Sequence, residues 1–275
     1  MDVKRYGSGS VQVLLVPGGP GLLPGFYEEL VEGLAAFAQV RTYVQRGTTP
    51  PDSEEFPRSI KGFADELGGV AEEVSGDADA TVVLGHSFGV PVLIEALLSG
   101  LSIDGAILSN GFDSTTMMRR GLGDRFSDLP KGFHEAYARI DRTNLAELMP
   151  VLAEHFYPKH FCRRDPWPES FLTGLGEINP KVLLHYLGTN LFDPDGVIRD
   201  WDRSADVASI RVPSLVISGA YDYFREEDNR RMAEALPSAE LWLSETASHS
   251  PWIEDPQGFY AATGRFLARL GKVPD

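Results

Sequence analysis

A Gly-His-Ser-Phe-Gly pentapeptide between a predicted strand and a predicted helix constrains this 275-residue chain more than any other feature. It covers residues 85–89 and directly follows the apolar run 80–84. Two glycines around a serine at such a junction fit a nucleophile elbow, a strained turn that lifts the hydroxyl above the sheet edge. Side chains at the two flanking positions would collide with neighbouring backbone. We therefore predict that Ser87 is a nucleophile.

Short apolar runs alternate with amphipathic stretches along most of the chain, which predicts an α/β fold with a mostly parallel sheet flanked by helices. Strands are predicted at residues 11–16, 40–44, 81–84, 105–109, 214–218 and 240–243. Helices with 3.6-residue periodicity are predicted at residues 24–37, 59–74, 91–98, 226–236 and 257–270.

The alternation breaks once, between about residues 113 and 208. This segment contains no convincing strand, and helical patterns occupy residues 132–140, 145–156, 169–175 and 181–187. An insertion of that length predicts a helical lid over the carboxyl edge of the sheet, where open α/β sheets bind ligands. We expect a core formed by residues 1–112 and 209–275 and a lid, or cap, formed by residues 113–208.

Charge and composition exclude several classes of protein. The formal net charge of −15 argues against nucleic acid or an anionic membrane as a partner. A single cysteine, Cys162, cannot form an intramolecular disulfide. No signal-peptide pattern opens the chain, and no stretch approaches the ~20 apolar residues of a membrane span. We expect a soluble, cytoplasmic protein.

A nucleophilic serine needs a base that takes its proton and an acid that orients the base. α/β-Hydrolases supply these groups in the chain order serine, acid, histidine. Asp222 follows the strand at 214–218 and His249 follows the last strand, so both fall on loops at the carboxyl edge. We predict a triad of these two residues with Ser87. Glu226 and Asp228 are alternative acids, although both lie inside the next predicted helix.

Acyl transfer also needs hydrogen-bond donors for the charge that develops on the substrate oxygen. One predicted donor is the N–H of Phe88, which follows the nucleophile at the start of a helix. The Pro17-Gly18-Gly19-Pro20-Gly21 loop offers the other. We choose the N–H of Gly19, because neither proline can donate. No His-Glu-x-x-His motif and no Cys/His cluster is present, so we expect no metal and no other cofactor.

These motifs resemble those of the proline iminopeptidase family of α/β-hydrolases, and the resemblance runs from about residue 11 to residue 270. The family's His-Gly-Gly-Pro-Gly loop matches residues 17–21, and its Asp-Gln-Arg-Gly matches residues 44–47. Lid segments match at Cys162-Arg163, Trp167-Pro168, 188–192 and 200–202. The resemblance implies metal-free removal of an N-terminal residue, often proline. It assigns the same triad and the same two oxyanion donors.

The chain departs from the family at three places. The family's first antiparallel strands are missing or shortened, and Pro17 replaces a histidine. The lid glutamate that the family uses to hold the substrate's α-amino group falls on Leu191, which cannot pair an ammonium. We expect a lid carboxylate to take its place, and the candidates are Glu154, Glu169, Asp193 and Glu177. An apolar substrate site is expected around Trp167, Leu191, Phe192, Phe161 and Phe171.

Three functions remain open. The first is a serine hydrolase that cleaves an N-terminal aminoacyl amide, from a peptide or from an aminoacylated small molecule such as a macrolactam intermediate. Its substrate would carry a free amine. The second is a carboxylesterase or other acyl hydrolase on the same scaffold, which Leu191 favours. The third is a non-catalytic, lid-gated binding protein, against which a complete triad argues.

Overall fold

A seven-stranded sheet forms the centre of the computed structural model, which describes residues 2–50, 52–76 and 78–271. The strands are β1 (Val3–Tyr6), β2 (Val11–Val16), β3 (Gln39–Tyr43), β4 (Ala80–His86), β5 (Gly105–Ser109), β6 (Ser214–Gly219) and β7 (Ala239–Ser244). Their order across the sheet is β1-β3-β2-β4-β5-β6-β7. Every neighbouring pair is parallel except β1 with β3. The predicted fold class is confirmed.

All six predicted strands are present, with boundaries within two residues of those expected. The seventh strand, β1, was not predicted. Its sequence is Val-Lys-Arg-Tyr, and its last three residues are exposed. Such an edge strand carries no apolar alternation, because only one side of it is paired and neither face is fully covered. It is the shortened antiparallel element at the start of the chain.

Five helices cover the two faces of the sheet. They are α1 (Glu28–Ala35), α2 (Ile60–Glu73), α3 (Gly89–Leu98), α10 (Glu226–Ala235) and α12 (Pro256–Leu270). The buried residues of α2, α3 and α10 belong to one apolar cluster, and those of α1 and α12 belong to another. Both faces of the central strands are therefore covered, as a parallel sheet requires.

Six helices lie between β5 and β6, in a segment that we call the insert (residues 113–208). They are α4 (Thr115–Ser127), α5 (Lys131–Tyr137), α6 (Leu145–His155), α7 (Tyr157–His160), α8 (Glu169–Gly176) and α9 (Pro180–Leu187). Four of them match predicted helices, whereas α4, α7 and the later α11 (Pro251–Glu254) were not predicted. Helix α4 contains two glycines, which weaken its periodic signal, and it begins at Ser114, whose hydroxyl accepts the N–H of Met117.

Buried side chains of the insert and of the sheet belong to one apolar cluster. Leu148, Leu152 and Phe156 belong to the same buried cluster as Leu14 and Val83 of the central strands. Each such buried side chain contributes about 1.5–3 kcal/mol of burial free energy. The division of the chain into a core and a lid domain stays a prediction. Among the described residues, no helix has both the length and the apolar character needed to cross a membrane.

Candidate active site

Ser87 stands at the carboxyl end of β4 in a strained backbone conformation. Its φ is 54°, in the left-handed region that residues other than glycine rarely adopt. A Cβ at Gly85 would lie 2.5 Å from the carbonyl oxygen of Gly89, and a Cβ at Gly89 would collide with the carbonyl oxygen of Val16. Both flanking positions therefore have room for glycine alone. The strand, the strained serine and α3 together have the form of the predicted elbow.

Asp222 and His249 lie together at the same edge of the sheet, and both are fully buried. The His249 ring donates from Nδ1 to Oδ1 of Asp222 at 3.0 Å. The same oxygen accepts the N–H of Phe224 at 3.2 Å. With the proton held on Nδ1, the Nε2 atom is free to accept a proton. The alternative acid Asp228 pairs with Arg120 at 2.6 Å instead.

Asn110 is a site residue that sequence reasoning missed. It follows β5 with φ of 50°, and its Nδ2 donates to Oδ2 of Asp222 at 2.7 Å and to the Ser248 carbonyl at 3.1 Å. Both oxygens of the buried carboxylate are therefore hydrogen-bonded. The sequence held one signal, because asparagine tolerates the left-handed conformation and this one directly follows a buried strand.

Tyr223 is the second missed residue, and its hydroxyl lies between His249 and Ser87. It is 2.7 Å from Nε2 of His249 and 3.5 Å from Oγ of Ser87. Among the described residues, the Ser87 hydroxyl makes this hydrogen bond and none to His249. Burial and the nearby Asp222 carboxylate raise the pKa of the Tyr223 phenol well above its usual value, so the phenol is neutral.

Gly19 and Phe88, the predicted oxyanion donors, line the same cavity as Ser87. Gly19 has φ of 111°, which suits glycine. In the described part of the chain, neither of these two amides donates a hydrogen bond to another protein group. The amide of Gly18 is occupied, since it donates to the Tyr27 hydroxyl at 2.7 Å. The geometry thus leaves the two predicted donors available to a substrate oxygen.

His86 joins this loop to the backbone of His249. Its Nδ1 lies 2.9 Å from the Tyr27 hydroxyl and its Nε2 lies 3.0 Å from the His249 carbonyl oxygen. Burial and the adjacent His249 ring lower the pKa of His86 well below its usual value. The ring is therefore neutral: Nε2–H donates to the carbonyl, and Nδ1 accepts from the Tyr27 hydroxyl. Sequence reasoning placed His86 in the elbow and gave it no role.

An apolar cavity of about 120 Å³ opens at Ser87, beneath the insert. Leu191 and Phe192 line it, as predicted, and so does Phe161. Further lining residues from the insert include Met118, Leu152, Phe156, Leu183 and Leu187. Trp167 packs beside Phe161 and is not part of the lining; its Nε1 donates to the Cys162 carbonyl at 2.9 Å. Phe171 is buried against Phe26, behind the cavity wall.

The expected carboxylate in this cavity is absent. Of the described residues, those that line it include no Asp or Glu. Glu154 is 74% exposed and lies 3.5 Å from His155, and Asp193 is 69% exposed and pairs with Arg119 at 2.8 Å. Glu169 and Glu177 are exposed as well. The expectation was wrong because the insert helices turn their apolar faces toward the cavity and their charged faces toward solvent.

Within residues 2–50, 52–76 and 78–271, no three His, Cys, Asp or Glu side chains are grouped as a metal site requires. That no metal or other cofactor is needed stays a prediction.

Known proteins are similar to this chain over nearly its whole length. The proline iminopeptidase of Flavobacterium johnsoniae is 24% identical to it, over 96% of this chain and 92% of that protein. The proline iminopeptidase of Chitinophaga pinensis is 27% identical, over 94% of this chain and 89% of that protein. The crystal structure of VinJ superposes with a TM-score of 0.87 at 25% identity, covering 98% of this chain and 94% of that one. The predicted resemblance to proline iminopeptidases is confirmed. The sequence model of the Alpha/beta hydrolase family matches residues 13–262, from the second strand to the last helix, and the chain therefore belongs to that family.

Proposed function

We propose that this protein is a serine hydrolase whose nucleophile is Ser87, with His249 as the base and Asp222 as the acid that orients it. The Ser87 oxygen attacks an ester or amide carbonyl and forms an acyl-enzyme, and a water molecule then releases the acid. The supporting geometry is the strained serine at the same edge of the sheet as a buried His249–Asp222 pair, whose Nε2 carries no proton and meets the Tyr223 hydroxyl.

The charge that develops on the carbonyl oxygen is stabilised by the backbone N–H groups of Gly19 and Phe88. Both belong to the lining of the cavity at Ser87, and the second lies at the start of α3, where the helix dipole favours negative charge. Removal of one such donor typically costs about 10²–10³-fold in kcat.

We propose further that the preferred substrate is an ester or amide with an apolar acyl group and without a free ammonium beside the scissile bond. The observation that carries this proposal is the apolar lining, to which Leu191 belongs. The sequence resemblance places this leucine where the family has the glutamate that holds the substrate amine. An ammonium in this cavity would lose its hydration without gaining a partner, at a cost of several kcal/mol. An apolar chain would instead gain about 25 cal/mol for each Å² removed from water.

The second candidate is the hydrolysis of an aminoacyl amide. It is supported by the similarity to proline iminopeptidases over more than nine-tenths of the chain. In that case the amine would have to lie outside the apolar cavity.

A substrate panel separates the two candidates. We expect p-nitrophenyl esters of medium-length fatty acids to be hydrolysed, and N-acetylated aminoacyl-p-nitroanilides to react at least as well as the free-amine forms. A preference of tenfold or more for the free amine would establish the aminoacyl candidate instead.

The nucleophile is tested by Ser87→Ala, which should lower kcat at least about 10³-fold and abolish labelling by an organophosphonate. Ser99→Ala, at the exposed end of α3, is the matched control and should leave turnover unchanged. Near-normal turnover of Ser87→Ala would refute the serine hydrolase.

A further inference from the structure

We propose that the Tyr223 hydroxyl carries the proton between Ser87 and His249, so that proton transfer runs through serine, tyrosine and histidine to the orienting aspartate. The inference rests on the proposed function of Ser87 and His249. The structure places the tyrosine oxygen within hydrogen-bonding distance of both, at 3.5 Å from Oγ and 2.7 Å from Nε2.

When the His249 ring is neutral, as a general base must be, the hydrogen bonds in this chain of groups run in one direction. Asp222 accepts the proton on Nδ1 of His249, so Nε2 is an acceptor. The Tyr223 hydroxyl must then donate the short hydrogen bond to Nε2 of His249. With its own proton engaged, the tyrosine oxygen offers its lone pairs to the Ser87 hydroxyl. Each donor therefore points toward the base.

The transfer balances without any further reactant. As Oγ of Ser87 bonds to the carbonyl carbon, the serine proton moves to the tyrosine oxygen while the phenolic proton moves to Nε2 of His249. The electron pair of the carbonyl π bond moves to its oxygen. When the tetrahedral intermediate collapses, the leaving group departs with a proton returned from Nε2. The phenol is neutral before and after each step, so the high pKa of its hydroxyl does not oppose the transfer.

Packing holds Tyr223 in this position. Tyr223 directly follows Asp222 in the chain. A Cβ at Gly121 of α4 would collide with the carbonyl oxygen of Tyr223, so this glycine lets α4 approach the backbone of Tyr223 closely. Its ring lies against the ring of Phe156, with centroids 5.8 Å apart, and against that of His249, at 4.3 Å. The weaker contact, to Ser87, is of the kind that shortens when substrate binds.

Tyr223→Phe tests the relay, because it removes one oxygen and keeps the ring. We expect kcat to fall by about 10²–10³-fold with little change in KM, and organophosphonate labelling of Ser87 to slow by a similar factor. The matched control is Tyr137→Phe, which removes a phenol that donates to Asn190 at 3.1 Å elsewhere in the insert. That variant should keep wild-type turnover.

A proton inventory in H₂O–D₂O mixtures gives a readout that a structural role would not alter. With an amide substrate, a plot of the wild-type rate against the deuterium fraction of the solvent should be curved, because two protons move together. Tyr223→Phe should give a straight line. A wild-type inventory that is linear, or a folded Tyr223→Phe variant within threefold of wild-type kcat, would overturn the relay. If Tyr223→Phe does not fold, the proton inventory of the wild-type enzyme tests the relay by itself.

Failure of the relay and failure of the proposed function give different results. If Ser87→Ala is inactive and Tyr223→Phe is active, the hydrolase stands and the relay falls. If Ser87→Ala keeps its activity, the proposed function itself is refuted.

Discussion

At the scale of single residues, the orientation of Asp222 depends on a side chain from a neighbouring strand. Asn110 binds the carboxylate oxygen that His249 leaves free, and its second hydrogen bond reaches the carbonyl of Ser248, next to the base. One amide group thus fixes Asp222 and the chain segment that carries His249 relative to each other.

We predict that Asn110→Ala lowers kcat by about 10–100-fold and unfolding free energy by about 1.5–3 kcal/mol, because a buried carboxylate loses a charge-assisted hydrogen bond. Steady-state kinetics and urea unfolding measure the two effects. Asn144→Ala, which removes the N-cap of α6, is the control for lost stability alone. Equal turnover in Asn110→Ala and wild type would contradict the assignment.

Residues at strand ends were predictable, whereas those that depend on side-chain orientation were not. Ser87, Asp222 and His249 follow strands whose periodicity is visible in the sequence, and parallel topology brings their loops to one edge. The role of Tyr223 depends on where a ring points from an irregular loop. Glu154 and Glu169 were expected in the cavity for the same reason: the sequence of a short amphipathic helix does not reveal which of its faces meets the cavity.

At the scale of elements, the insert holds the loop that carries Asp222. Arg125 of α4 donates to the Asp222 carbonyl from Nε at 3.1 Å and from Nη2 at 2.9 Å. His160 of α7 lies with its Nδ1 3.0 Å from the Tyr221 carbonyl, and the Arg163 guanidinium lies 3.6 Å from the centre of the Tyr221 ring. Movement of these helices would therefore move the acid.

We predict that Arg125→Ala lowers kcat about tenfold while KM changes by less than threefold, because hydrogen bonds to a buried backbone carbonyl are lost. Arg120→Ala is the control: Arg120 lies on the same helix and pairs with Asp228 of α10 at 2.6 Å, not with the Asp222 carbonyl. If both variants lose turnover equally, α4 supports the fold in general and does not position the acid.

At the scale of the whole molecule, the insert and the sheet share one apolar interior. Phe133, Leu152 and Tyr186 of the insert lie in the same cluster as Val83 and Leu108 of the sheet. Alternation of strands and helices predicted the sheet correctly. Periodicity could not show this shared packing, because it reports which face of a helix is apolar and not which surface that face meets.

We predict a single cooperative unfolding transition in urea. Tryptophan fluorescence, which reports on Trp167 and Trp201 of the insert and on Trp242 and Trp252 of the core, should give the same midpoint as far-UV circular dichroism. Two separate transitions would show that the insert unfolds as an independent domain, contrary to the shared cluster.

Asp222 and Tyr223 are consecutive residues that approach the two nitrogens of one imidazole from opposite sides. Two consecutive residues therefore set both the orientation of the His249 ring and the group that faces its Nε2 atom. Under the proposed mechanism, one codon beside Asp222 sets how readily Ser87 is activated while Ser87, Asp222 and His249 stay unchanged. Under the same mechanism, two proteins with these three residues in common would differ in reactivity through the neighbouring position, which a comparison of the three residues alone would overlook.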